Sequence, residues 1–209
     1  MLVRDIMRTP AVAIPPATTL ADAYRTMQEK HIRHLPVLDG DRLVGVITDR
    51  DLRLATSALS ATPFAADRRV ADVMRMNPFT ADPLDPVEDA ARTMRERKIG
   101  CLPVSDGGRI VGIVTGLDLL DALMKMTGVD KPSGRLEVRL PDHPGELARL
   151  TAFLAARHLN IHSVLSYPES PEATRMVLRI GSIETRLLAV DLRRAGFDVV
   201  WPPEKPWPR

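Results

Sequence analysis

The chain has 209 residues, 44% of them hydrophobic, and its 29 basic and 27 acidic residues leave a net charge of only +2. This composition is typical of a globular protein with one to three domains, and it offers no basic patch or aromatic platform for nucleic acid. The single cysteine, Cys101, excludes an internal disulfide and a multi-cysteine zinc site. No apolar run approaches the ~18 residues of a membrane span and no signal-peptide core is visible, so we expect a cytoplasmic protein.

The first 55 residues predict the order strand, helix, strand, strand, helix. A short apolar strand at residues 11–14 ends at two prolines. Thr19 then caps a helix over residues 20–30, whose apolar positions recur at three-and-four spacing. An Asp39-Gly40 turn joins two apolar runs into a hairpin, and a second helix begins near residue 49.

The same unit recurs 67 residues later. Segments 45–51 and 112–118 both read Gly, two apolar residues, Thr, any two residues, Asp, and 112 minus 45 is 67. The same offset relates Met7 to Met74. The chain therefore contains an internal repeat, and we expect the two copies to pack on each other with approximate two-fold symmetry, because neither could cover its apolar face alone. Residues 57–69 carry turn formers without a clear period, so they are predicted to connect the copies.

Each repeated motif places a threonine at a strand-to-helix junction, with an aspartate three residues on: Thr48 with Asp51, and Thr115 with Asp118. One interpretation is structural, because this spacing approximates a helix capping box. The other is functional, because a helix N-terminus attracts anions and a carboxylate suits the diol of a ribose. The sequence leaves both interpretations open.

Residues 1–126 resemble tandem cystathionine-β-synthase (CBS) domains, a pair known as a Bateman module. The resemblance rests on Met7 and Met74, the two Leu-Pro-Val strands and both Gly-apolar-apolar-Thr-x-x-Asp segments. It implies that the clefts between the repeats bind AMP, ADP, ATP or another adenosyl compound such as S-adenosylmethionine, with the aspartates on ribose and the threonines near phosphate. The implied nucleotide-binding residues are Thr48, Asp51, Thr115, Asp118, Arg33, His34, Arg50, Gly45, Gly112, Ala13 and Ala81.

The resemblance also implies that the two clefts differ. The two residues before Leu-Pro face phosphate in this family, and they are Arg33-His34 in the first repeat but Gly100-Cys101 in the second. We therefore expect phosphate to meet cations mainly in repeat one, where Arg50 adds another. No cofactor is required, although Asp49 and Asp51 would suit a magnesium ion carried by the nucleotide.

The last third predicts a different domain. A polar, Pro- and Gly-bearing linker leads to alternating apolar residues at 136–140 and then to a turn, with Pro144 in the first turn of a helix. A strand at 160–167, a turn at 168–171, a strand at 174–180, a helix at 184–195 and a strand at 197–201 complete the ferredoxin-like order. Gly196 is predicted to end the second helix.

This region resembles an ACT domain, a small-molecule sensor module found beside amino-acid biosynthetic enzymes. The matching residues are Asp142-x-Pro144-Gly145-x-Leu147 and Asn160-Ile161. The resemblance implies an amino-acid type of ligand at His143, Gly145 and Asn160. Any sharp strand-to-helix turn also favours Pro-Gly, so a purely structural role is the alternative.

The predicted fold is α/β (α+β): two β-α-β-β-α repeats and a βαββαβ domain. The predicted domains are residues 1–60, 61–126 and 135–209, with a linker at 127–134. The sequence lacks nucleophile-elbow, phosphate-loop and dinucleotide motifs, its histidines lack a metal-binding pattern, and Cys101 fits a buried strand better than a nucleophile, so we predict neither a catalytic nor a metal site.

We therefore predict a regulatory protein, not an enzyme, that binds a nucleotide and acts on a target enzyme, without nucleic-acid or membrane partners. A dimeric adaptor with vestigial clefts is the alternative. A homodimer is expected in either case, because CBS pairs expose an apolar helical face and ACT domains an edge strand. The order CBS, CBS, ACT resembles the acetoin-utilisation B type of regulatory protein, which implies a link to acetoin or acetyl metabolism.

Overall fold

The computed structural model describes residues 1–59 and 63–204. The chain forms two compact units, Met1–Ala122 and Leu123–Arg209. Residues 60–62, within the predicted connector, lie outside the described part. No helix in the described ranges is long and apolar enough to cross a membrane.

The helices and strands follow one another along the chain in this order: α1 (Leu20–Glu29), β1 (His34–Asp39), β2 (Arg42–Thr48), α2 (Asp49–Thr56), β3 (Arg75–Met76), α3 (Val87–Arg97), β4 (Cys101–Asp106), β5 (Arg109–Thr115), α4 (Gly116–Thr127), β6 (Gly134–Pro141), α5 (Glu146–Ala155), β7 (Ile161–Ser170), β8 (Ala173–Ile180), α6 (Arg186–Arg194) and β9 (Asp198–Trp201).

The helices of the repeat form where the apolar period predicted them. Helix α1 buries Leu20, Ala23 and Met27, and α3 buries the three residues 67 positions later. The Thr19 hydroxyl accepts a hydrogen bond from the Asp22 amide at 3.1 Å, which satisfies an unpaired donor at the start of α1. A residue with left-handed backbone follows each helix: His31, at φ 52°, lies two residues after α1, and Lys98, at φ 54°, caps α3.

The predicted hairpins are confirmed in both repeats and have the same register. Strands β1 and β2 pair antiparallel with His34 opposite Thr48, and β4 and β5 pair antiparallel with Cys101 opposite Thr115. Each threonine of the repeated motif therefore lies beside the first residue of the neighbouring strand.

The short first strand predicted in each repeat is reduced to an isolated bridge. Ile14 forms only a single parallel bridge with Val37, and Ala81 forms the equivalent bridge with Val104. The prolines that flank these residues explain the difference, because proline has no backbone N–H to extend a ladder. In the first repeat they are Pro10, Pro15 and Pro16.

The two repeats exchange their opening segments. Val3 is fully buried in the core of repeat two, whereas Val70 is fully buried in the core of repeat one. The Arg8 amide donates to the Ile113 carbonyl at 2.9 Å, and strand β3 pairs with Gly45 and Val46 of β2. Each segment that precedes a repeat in sequence thus packs on the other repeat in space.

The motif glycines make room for these exchanged segments. A Cβ atom on Gly45 would lie 2.6 Å from the sulfur of Met74, and one on Gly112 would lie 2.8 Å from the carbonyl oxygen of Arg8. Any larger residue would push the crossing segment away. The requirement for glycine at both positions is therefore explained by packing.

The second unit is a four-stranded antiparallel sheet in the order β7-β8-β6-β9. Its core joins inward residues of β6 and β8 to α5 and α6. The predicted βαββαβ order is confirmed. Gly196 has φ 83° and follows α6 as predicted.

Two local predictions in this unit are wrong. Pro144 is not inside α5, which begins at Glu146 after Gly145 adopts φ 96°. The turn predicted at 168–171 is also misplaced, because β7 continues to Ser170 and Pro168 pairs with Thr174. Strand β7 lies at the edge of the sheet, where a proline without a donor is tolerated.

Candidate functional site

The motif of repeat one forms a complete capping box at the start of α2. The Thr48 hydroxyl donates to Oδ2 of Asp51 at 2.6 Å, and the Thr48 amide donates to the same oxygen at 3.1 Å. The Asp51 amide donates back to the Thr48 hydroxyl oxygen at 3.2 Å. The structural interpretation of this motif is therefore correct, and it fixes the orientation of the carboxylate.

Repeat two reproduces this geometry at the start of α4. The Thr115 hydroxyl and amide donate to Oδ2 of Asp118 at 2.6 and 2.8 Å, and the Asp118 amide lies 3.4 Å from the Thr115 hydroxyl oxygen. The two carboxylates are thus held in equivalent ways by equivalent elements. In both, the cap occupies one carboxylate oxygen.

An arginine occupies the second oxygen of each carboxylate. Arg8 Nε donates to Oδ1 of Asp118 at 3.1 Å, and Nε and Nη2 of Arg75 lie 3.3 Å from Oδ1 of Asp51. Neither arginine was predicted from the sequence. The signal was available, because 75 minus 8 is again 67 and each arginine directly follows the methionine of its opening segment.

His34 lies opposite Thr48 in the first hairpin and is influenced by both carboxylates. Its pKa is lowered, first by burial and then by the Arg33 guanidinium, while Asp51 and Asp118 both act in the opposite direction. Gly100 gives the ring space, because a Cβ there would approach Nε2 of His34 to 2.8 Å. Burial and the neighbouring Arg33 guanidinium thus disfavour the protonated form of this imidazole.

The other predicted cations lie around the start of α2. The Arg33 carbonyl accepts a hydrogen bond from the Asp49 amide at 3.0 Å, and the Arg33 and Arg50 side chains are exposed. Asp49 itself is paired with Arg53 at 2.9 Å. No group of three His, Cys, Asp or Glu in the described ranges could hold a metal ion.

The remaining predicted nucleotide-binding residues have packing roles. Gly45 and Gly112 lie against Met74 and Arg8, as described above. Ala81 is buried, and its amide and carbonyl pair with Pro103 and Ser105. Ala13 is half-buried and lies beside Ile14, the equivalent of Ala81.

Cys101 is a buried strand residue, as the sequence predicted. It packs with Val46 and Ile113, one from the central strand region of each repeat. Burial, and secondarily the Asp51 carboxylate, raise its pKa to about 12. The thiol is therefore protonated at neutral pH and unsuited to nucleophilic attack.

In the second unit, all three candidate ligand residues are exposed. His143 and Gly145 lie in the turn before α5, where the His143 amide donates to the Pro141 carbonyl at 2.8 Å. Asn160 precedes β7, and its carbonyl accepts from the Gly181 amide at 2.8 Å.

A second polar cluster, which the sequence analysis did not find, covers one face of this sheet. Glu137 is only 6% exposed, accepts a hydrogen bond from Arg175 at 2.7 Å and forms an ion pair with Arg135 at 2.7 Å. Hydrogen bonds from Arg139 and Arg175 lower the pKa of Glu169 to about 2. The alternation of charged residues along β6 was the available signal.

Models of two known families match these two units. The CBS domain model matches residues 3–57 and 70–125, and the ACT domain model matches residues 134–190. The chain belongs to the family of CBS-domain proteins, as a tandem CBS pair followed by an ACT domain.

Two sequence relatives match most or all of the first unit. A CBS domain-containing protein of Dictyostelium discoideum is 41% identical over 135 residues, which cover 60% of this chain and 93% of the relative. An inosine-5′-monophosphate dehydrogenase of Methanocaldococcus jannaschii is 28% identical over 94% of this chain, but the match spans only 41% of that enzyme.

Solved CBS proteins share the fold of the first unit. A CBS domain pair in complex with 5′-methylthioadenosine and S-adenosyl-L-methionine is 29% identical, with 63% of this chain and 98% of that chain covered and a TM-score of 0.54. A CBS protein in complex with AMP is 29% identical, with coverages of 60% and 97% and a TM-score of 0.54. A protein from Vibrio cholerae assigned to acetoin utilization is also 29% identical, with coverages of 62% and 95% and a TM-score of 0.54.

Proposed function

We propose that this chain is a non-catalytic regulatory protein that binds an adenine nucleotide or another adenosyl compound at Asp51 and Asp118. The observation that carries the proposal is the duplicated carboxylate. A helix cap holds one oxygen of each aspartate, and an exposed arginine contacts the other oxygen. A fixed acceptor of this kind suits the two hydroxyls of a ribose. The adenosine ligands of the solved relatives support the same class of ligand.

The first cleft is our candidate for the phosphate. The cations Arg33 and Arg50 lie near the start of α2, with His34 as a further hydrogen-bonding group, whereas the corresponding residues of repeat two are Gly100, Leu117 and Cys101. Hydrogen bonds between cations and phosphate are the stronger kind, so we expect unequal clefts. A magnesium ion that arrives with a nucleotide would face Asp49 and Asp51.

The direct test is mass spectrometry of the purified protein after denaturation, to detect a co-purified nucleotide, followed by calorimetric titration with AMP and adenosine. Asp51→Ala and Asp118→Ala should each weaken binding of both ligands at their own cleft by about ten- to hundredfold, the effect of losing a hydrogen bond to a charged group. Retention of full affinity by both variants would contradict the assignment.

These substitutions also remove a helix cap, so they need a matched control. Asp22→Ala is suitable, because the Thr19 hydroxyl donates to the Asp22 carboxylate at 2.7 Å at the start of α1. That variant loses the same kind of cap but no residue of the proposed site. It should be destabilised by about 1 kcal/mol and bind AMP normally.

A second candidate function is that of a dimeric adaptor with empty clefts. Helix α4 favours it, because Leu117, Leu120 and Met124 are 52%, 57% and 44% exposed and recur on one face. We propose a homodimer that covers this face. Light scattering at micromolar concentration should give twice the chain mass. Leu120→Glu should lower this mass towards that of the monomer. A monomeric parent protein would contradict the dimer.

Two further proposals concern the target enzyme of this chain and the ligand of its ACT domain. The domain order, together with the acetoin-utilization relative, favours a target enzyme in acetoin or acetyl metabolism in the cytoplasm. An amino acid at His143, Gly145 and Asn160 is the corresponding proposal for the ACT domain. Co-purification with candidate enzymes, with and without AMP, tests the first proposal, and titration with amino acids tests the second.

A further inference from the structure

The two arginines that cover the cleft carboxylates are mutually equivalent and come from exchanged segments. Arg8 precedes repeat one in sequence but pairs with Asp118 of repeat two, and Arg75 precedes repeat two but pairs with Asp51 of repeat one. Because both pairs obey the repeat symmetry, they are a property of the fold and not an isolated surface contact.

Burial in each pair is one-sided. The side chains of Asp118 and Asp51 are 6% and 10% exposed, whereas those of Arg8 and Arg75 are 57% and 66% exposed. The cap already occupies Oδ2 of each aspartate, so Oδ1 is the oxygen left for a ligand. A ribose diol that binds this oxygen therefore competes with the arginine for it.

We infer that Arg8 and Arg75 determine the ligand class of the two clefts: they compete with a ribose for the aspartate in the free protein and bind the anionic part of the ligand in the complex. This inference rests on the proposed function. A neutral nucleoside displaces the guanidinium without offering it another partner. A nucleotide offers a phosphate, whose geometry matches the donor fork of arginine. The clefts should therefore favour AMP over adenosine.

The exchange requires movement of the side chain alone. The Arg8 amide and carbonyl are both bonded to Ile113, at 2.9 and 3.0 Å, and Arg75 lies in β3 opposite Val46. The backbone of each opening segment is thus held while the exposed guanidinium changes partner. Rotation of an exposed side chain is fast, so it would not limit binding.

The test is calorimetric titration of the full chain with adenosine and with AMP, comparing the parent with the Arg8→Met/Arg75→Met variant. Adenosine should bind about two- to fivefold more tightly to the variant, because a partly exposed ion pair no longer competes. AMP should bind more weakly, because a charge-assisted contact to phosphate is lost. The preference for AMP should fall by about tenfold or more.

Arg25→Met is the matched control. The Arg25 side chain is 66% exposed, like that of Arg75, and it pairs with Asp22 at 3.0 Å on α1. It should leave both affinities unchanged. Thermal melts establish that each variant is folded. If the methionine variant unfolds, Arg8→Lys/Arg75→Lys replaces it: this variant keeps the positive charges but lacks the paired N–H donors of arginine, so it should show an intermediate preference for AMP.

Nitrogen-15 spectra of the arginine Nε–Hε groups provide a second readout. Adenosine should move the Arg8 and Arg75 signals towards those of free arginine, and AMP should move them to a different, phosphate-bound position. If the variant binds adenosine more weakly than the parent, or keeps the full AMP preference, the inference is wrong while the proposed function stands. If the parent binds neither ligand, the proposed function itself fails, and the inference fails with it.

Discussion

In each motif aspartate, one oxygen completes a helix cap and the other is the oxygen that we propose for ligand recognition. Oδ2 of Asp51 completes the cap of α2, and Oδ1 faces the Arg75 guanidinium. The structural and functional interpretations of the motif are therefore compatible, because a cap that immobilises one oxygen also orients the other. The same residue type is required for both roles.

The phosphate assignment predicts a difference between ligands. Arg33→Ala should weaken AMP by about ten- to hundredfold, since a contact between charged groups is lost, and should barely affect adenosine. Arg42→Ala is the control, because the Arg42 side chain is 79% exposed and belongs to the distant hairpin turn. Titration calorimetry distinguishes the outcomes: unchanged AMP affinity, or an equal loss for adenosine, would exclude a phosphate role for Arg33.

Burial of Cys101 predicts an unreactive thiol. Its pKa is raised from 9.0 to about 12, which lowers the thiolate fraction at neutral pH by about a thousandfold relative to an unfolded chain. A chromogenic disulfide reagent should therefore react slowly with the native protein and rapidly in urea. Rapid reaction of the native protein would show that β4 is more accessible than the structure indicates.

At the scale of elements, the local periodicities predicted the helices and hairpins, but they did not predict the exchange of opening segments. Segments 3–7 and 70–74 have nearly the same pattern, so either could fill either core. Their local pattern therefore does not decide which core each segment fills. Arg8 and Arg75 were missed for the same reason, since their partners lie in the other repeat.

The motif glycines provide a test of this exchange. Gly112→Ala should destabilise the protein by about 1–3 kcal/mol, because its Cβ would meet the Arg8 carbonyl oxygen at 2.8 Å. Gly116→Ala is the matched control: nothing lies within 4 Å of a Cβ at this first residue of α4. That variant should be neutral or slightly stabilising. Urea unfolding measures both, and equal stabilities would argue against a tight crossing at Gly112.

The charged face of the second unit predicts a dependence of stability on pH. Hydrogen bonds from Arg139 and Arg175 lower the pKa of Glu169 from 4.5 to about 2 in the folded chain. Its contribution is therefore complete above pH 4.5 and is lost as the pH falls towards 2. Glu169→Gln should lower the melting temperature at neutral pH and reduce its fall between pH 5 and 2. The exposed Glu172→Gln should do neither. A parent curve that is already flat between pH 5 and 2 would contradict the network.

At the scale of the whole molecule, the sequence predicted two kinds of module because their periods and turn residues differ. Alternating burial along β6 distinguishes the second unit from the helix-rich repeats. Between them, Gly128 adopts φ 67° directly after the end of α4, as a glycine that ends a helix commonly does. The ends of α5 and β7 were harder to predict. They depend on the left-handed conformation of Gly145 and on the edge position of β7, which are properties of the folded chain.

The division into two compact units predicts that nucleotide binding is a property of the first one. Asp51, Asp118 and their arginine partners all lie within Met1–Ala122, and α4 ends at Thr127. A truncation after Ser133 should therefore remain folded and bind AMP with an affinity within about threefold of the full chain, a difference of less than 1 kcal/mol. Circular dichroism establishes the folding, and calorimetry measures the affinity. A folded truncation that has lost AMP binding would place an essential part of the site beyond residue 133 and contradict the assignment to the CBS clefts.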